Sequence, residues 1–102
     1  MAILHTVNKS PFSHNTLQSC LAVLQTGDTL LLIEDGIYGC LPTAATFEEL
    51  QRLHANGVKL RVLKEDLEAR GCSDQIDELF ETADYNQFVE LCTQHQSVQS
   101  WY

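Results

Sequence analysis

The residues best equipped for chemistry in this sequence are its four cysteines, Cys20, Cys40, Cys72 and Cys92. A thiolate is both a nucleophile and a soft metal ligand. The cysteines are separated by 20, 32 and 20 residues with no CxxC pair, so a zinc site or a thioredoxin-like redox motif has no local support. Cys20 shares a helical stripe with Leu17, Leu21 and Leu24, a position that suits a small core residue as well as it suits a nucleophile. It also lies beyond the first turn of that helix, where the dipole would do most to lower a thiol pKa, and His14, six residues away, falls on a different face. Cys40 sits beside Gly39 and Pro42 in a stretch expected to be a loop beyond a strand, where open α/β sheets place ligands. Cys72 follows the helix stop Gly71 and reads as an exposed thiol, and Cys92 falls in the apolar stripe of the last helix.

No other residues assemble into a reactive pattern. His5, His14, His54 and His95 are dispersed, and His5, within a strand, reads as a hydrogen-bonded polar residue. Glu65, Asp66 and Glu68 read as a solvated helical face. No nucleophile elbow singles out a serine. Gly36 and Gly39 lack the third glycine and the helix start of a phosphate-binding fingerprint. No cofactor and no metal is therefore expected.

The elements that must position these residues alternate in type. Ala2 to Val7 reads as a strand, and Ser13 to Gln25 as a helix with Leu17, Cys20, Leu21 and Leu24 on one face. Thr29 to Ile33 is apolar on both parities, as in a strand covered on both sides, with a turn at Glu34-Asp35-Gly36. Thr46 and Glu49 have capping-box spacing before a helix carrying Phe47, Leu50 and Leu53, with Glu48 and Arg52 placed to pair. Val58, Leu60 and Val62 alternate with Lys59 and Arg61 in a third strand. Glu65 to Arg70 reads as a short helix, Ile76 to Phe80 as a fourth strand, and Asp84 with Gln87 caps a last helix carrying Tyr85, Phe88, Val89 and Cys92. Trp101 and Tyr102 close the chain with two rings expected to dock. The pattern predicts an α/β fold: one domain over residues 1–102, with a mostly parallel sheet of four to five strands and helices on both faces.

The chain has 102 residues, 44% of them hydrophobic, and a net charge of -8, which suits a single core. Six Lys and Arg against fourteen Asp and Glu leave little with which to neutralise phosphates, so direct nucleic-acid binding is not expected. No apolar run approaches the length of a membrane span, and the N-terminal residues lack the pattern of a signal peptide. A cytoplasmic protein with free thiols is expected.

Five pieces, in order, resemble the DsrH/TusB family of sulfur-relay subunits. They are Leu4-His5-Thr6-Val7-Asn8-Lys9-Ser10-Pro11, Gly27-Asp28-Thr29-Leu30-Leu31-Leu32 with Asp35-Gly36, Leu63-Lys64-Glu65-Asp66-Leu67-Glu68-Ala69-Arg70-Gly71, Tyr85-Asn86-Gln87-Phe88-Val89, and the terminal Trp101. The resemblance implies a Rossmann-like subunit of a cytoplasmic heterohexamer that holds two copies each of three related chains, its partners being DsrE-like and DsrF-like. It implies transfer of persulfide sulfur to a small carrier of the DsrC/TusE type. In TusB-type relays that sulfur is destined for 2-thiouridine in transfer RNA; in DsrH-type relays it serves oxidation of stored sulfur. Because DsrH-type chains carry a cysteine in the first helix, Cys20 points to the DsrH type.

On that resemblance Cys20 is the candidate persulfide carrier, with Cys40 as the alternative. Such a residue must attack the terminal sulfur of a donor persulfide and then yield it to another thiolate. The competing expectation is a noncatalytic subunit that completes the complex and shapes the carrier-docking surface. In either case the chain alone is expected to aggregate or form non-native oligomers, and Cys92→Ser is expected to destabilise a core.

Overall fold

The structure, a computed structural model, describes residues 2–102. Five strands, β1 (Ile3–Val7), β2 (Thr29–Leu32), β3 (Lys59–Leu63), β4 (Glu81–Ala83) and β5 (Ser97–Trp101), form one wholly parallel sheet in the order β4-β3-β2-β1-β5. Between them run α1 (Thr16–Leu21), a 3-10 helix (Glu34–Cys40), α2 (Phe47–Ala55), α3 (Lys64–Ala69) and α4 (Tyr85–Gln94). This is the Rossmann-like α/β architecture expected from the sequence.

Topology decides how the two sheet faces are covered. The steps β1 to β2 to β3 to β4 all move one way, so right-handed crossovers put α1, α2 and α3 on one face; the return to β5 puts α4 on the other. The larger core lies on the three-helix face. There Leu17, Cys20 and Leu21 of α1, Leu50 and Leu53 of α2, and Leu67 of α3 pack on Val7, Leu30, Leu32, Leu60 and Val62. On the opposite face Phe88, Leu91 and Cys92 of α4 cover Leu4, Leu31 and Ala83. No residue of α4 is fully buried, since a single helix spans that face.

Several elements differ from the sequence reading. α1 is only six residues long, because the Ser10 carbonyl already turns the chain at Ser13 and His14. Glu34 to Gly36 begins the 3-10 helix instead of forming an isolated turn. Gly36 is required there: a Cβ would lie 2.1 Å from the Val7 carbonyl oxygen, a close approach only glycine permits. The expected strand at Ile76 to Phe80 is a turn, in which an Asp77 carboxylate oxygen accepts from the Leu79 N–H at 2.9 Å, and pairing with β3 begins at Glu81.

The helix caps divide in the same way. At α4 the capping box forms, with the Gln87 N–H donating to Asp84 Oδ1 and the Asp84 N–H to Gln87 Oε1, both at 2.8 Å. At α2 it does not: Thr46 Oγ1 is buried without a hydrogen-bond partner, and Glu49 pairs with Arg52. That pair, three residues apart, replaces the expected one between Glu48 and Arg52.

Candidate functional site

The thiols are placed by the helices that carry them. Cys20, on the inward stripe of α1, has no solvent exposure, and its burial, reinforced by the nearby Asp28 carboxylate, pushes its pKa up from 9.0 to about 12. A thiol in that state is almost wholly protonated at neutral pH and is a poor nucleophile. Cys20 packs with Leu17, Leu21 and Leu24 in the larger core.

Cys40 does not lie in an open loop. It ends the 3-10 helix, fully buried, three residues from the equally buried Ile37. That spacing is the repeat of a 3-10 helix, which turns both side chains into the core. Burial first, then the neighbouring Cys72, pushes the Cys40 pKa up to about 11. Cys72, expected to be exposed, is buried beside it in the same core, and its thiol donates to the Arg70 carbonyl at 3.4 Å. Arg70 in turn pairs with Asp35, tying α3 to the start of the 3-10 helix. Cys92 alone is partly exposed. Among the described residues no group of three or more His, Cys, Asp or Glu is placed to hold a metal.

A polar network is assembled next to α1 from residues no local motif connects. Asp28, buried ahead of β2, accepts from the Ile3 N–H at 3.0 Å and the Gln25 N–H at 3.1 Å, and lies 3.3 Å from Nε2 of the buried His5. Trp101 Nε1 donates to His5 Nδ1 at 3.1 Å. An indole N–H can only donate, so Nδ1 must be the acceptor, and the ring proton sits on Nε2, aimed at Asp28. His5 is thereby satisfied at both nitrogens. On the other face His95 bridges the Leu91 carbonyl at 2.6 Å and Thr29 Oγ1 at 2.8 Å. These contacts hold the sheet to its flanking segments; none presents a free base to solvent.

Sequence comparison aligns this chain with a family described as DsrH like protein, over residues 9–98. Curated proteins named Protein TusB match along its length. That of Pectobacterium parmentieri is 38% identical over 99 residues, covering 97% of this chain and 100% of the relative. That of Erwinia tasmaniensis is 37% identical with the same coverage. Among solved structures, the ychN protein of E. coli superposes with a TM-score of 0.79 at 17% identity, covering 98% of each chain. The MTH1491 protein of Methanobacterium thermoautotrophicum gives 0.74 at 13% identity, covering 97% of each. At those identities the structural likeness speaks for the fold.

Proposed function

The chain belongs to the DsrH family, and from that premise we propose that it is a TusB-type subunit of a sulfur-relay complex, contributing assembly and carrier docking while a cysteine on another chain carries the persulfide. The related subunits are DsrE-like and DsrF-like chains in a cytoplasmic heterohexamer, and the acceptor is a small DsrC/TusE-like carrier. The observation that carries this reading is the burial of Cys20, Cys40 and Cys72, with the first two thiols held protonated. Persulfide exchange proceeds through a thiolate reached by its partner; burial denies such a partner access to all three thiols, and Cys20 and Cys40 are also held protonated.

The names of the full-length relatives favour delivery of sulfur toward 2-thiouridine in transfer RNA over oxidation of stored sulfur. A net charge of -8 suits contact with protein partners better than with the RNA itself.

The test is to load the reconstituted complex with a persulfide donor and locate the added sulfur by peptide mass spectrometry. Sulfur on another subunit and none on this chain is the expected result. Sulfur on Cys20, lost in Cys20→Ser with the complex intact, would make this chain a carrier and overturn the assembly reading.

A further inference from the structure

The sheet ends on one side in β5, whose residues from Ser97 to Ser100 are all exposed. Natural edge strands are blunted by charge, proline or a bulge, because their free N–H and C=O groups pair with any strand that arrives. β5 has no charged residue and no proline, and it keeps an unbroken register with β1 from Ser97 to Trp101. The neutrality extends further. Glu90 is the last charged residue, so Leu91 to Tyr102 contains none of the twenty Asp, Glu, Lys and Arg side chains in a chain of net charge -8.

Backbone parity shows which groups are free. The Ile33 N–H reaches the Val7 carbonyl and the Asn8 N–H reaches the Trp101 carbonyl. Trp101, and with it Gln99, therefore turns its backbone toward β1, while Val98 and Ser100 turn theirs outward. An antiparallel copy of β5 centred on Gln99 sets Val98 opposite Ser100 of the copy and Ser100 opposite its Val98, so both pairs exchange N–H···O bonds. Gln99 meets Gln99 in the intervening pair, where Cα atoms are closest.

We propose that two copies of this chain pair through β5, antiparallel about a twofold axis, to make one continuous sheet. Electrostatics places a second copy here: it is repelled by most of the acidic surface but meets no charged side chain along this edge. The half-exposed Val98 and the exposed Tyr102 add apolar surface to the same contact.

Sedimentation of the full chain, with backbone amide exchange, tests this. The wild type should sediment as a dimer whose dissociation weakens further as salt screens the net charge. Gln99→Lys, which sets two cations face to face, should weaken it about tenfold or more, whereas Gln75→Lys, the same charge change at an exposed turn, should not. Within the wild type, dilution should speed exchange at Val98 and Ser100 and leave Gln99 unchanged, a readout independent of whether a variant folds. A monomeric wild type, a dimer unaffected by Gln99→Lys, or one whose Val98 and Ser100 amides stay unprotected would overturn the proposal.

Discussion

The indole N–H of Trp101 donates to Nδ1 of His5 at 3.1 Å across a sequence separation of 96 residues, binding the second-last residue of the chain to its first strand. Through His5 the contact continues to Asp28, so one line of polar atoms ties β5, β1 and the approach to β2.

Trp101→Phe keeps most of the ring but leaves His5 Nδ1 without its donor inside the protein. A buried group left unpaired costs about 1 to 3 kcal/mol, and that loss is expected in chemical denaturation. Amide exchange should quicken first in β5, before β2 and β3. An unchanged midpoint would show that the hydrogen bond is replaced by water.

Asp28→Asn is expected to be worse than its size suggests. The carboxylate accepts from Ile3, Gln25 and His5, and the amide that replaces one oxygen can only donate. At least one donor then faces another, at a cost of about 1 to 3 kcal/mol. Thermal melting of the variant beside Asp28→Ala measures it; equal stability of Asp28→Asn and the wild type would contradict the pairing of both carboxylate oxygens with the Ile3 and Gln25 N–H groups.

Cys20 gives an alkaline signature. Its folded pKa of about 12 exceeds the ordinary 9.0, so between those values the unfolded chain has lost a proton the folded one retains. Stability contributed by the protonated thiol is therefore full below about pH 9 and is lost as pH rises toward 12, by at most about 1.4 kcal/mol per pH unit. Denaturation at neutral and alkaline pH should show this slope in the wild type and a shallower one in Cys20→Ala. Identical slopes would place the Cys20 thiol in water.

Alkylation of the native chain should label Cys92 first, because it is the only one of the four that is partly exposed. Cys20, Cys40 and Cys72 should react only on unfolding. Rapid labelling of Cys40 would require the 3-10 helix to open on its own.

Elements whose environment is written locally were legible from the sequence. β2 is apolar on both parities because both faces are covered, and the cap of α4 lies within one turn as Asp84 and Gln87. β4 and β5 were not, for a shared reason. β4 has three residues, two of them exposed, and β5 is exposed over Ser97 to Ser100, so neither shows the apolar alternation of a half-buried strand, and pairing with β3 and β1 makes them strands. The Cys40 stretch misled because Gly39 and Pro42 read as loop formers, whereas Gly39 is where the Leu17 and Leu32 side chains close in on the backbone. At the candidate site, residue type identified the cysteines, but access depends on long-range packing. His5, Asp28 and Trp101 lie 23 and 96 residues apart in the two contacts, beyond any sequence window.

The pairing of β1 with β5 also sets the order in which a newly made chain can finish folding. The first strand to leave the ribosome waits for its second neighbour until the last residues have been translated, while β1 to β4 and the three-helix face can assemble beforehand. Contacts between the two ends of a chain form late because the loop they close is the longest available. Until release, the nascent sheet has a bare edge at β1 and an uncovered face where α4 will lie. Translation that stops short of β5 would thus yield a nearly complete core with a sticky flank, a species suited to chaperone capture.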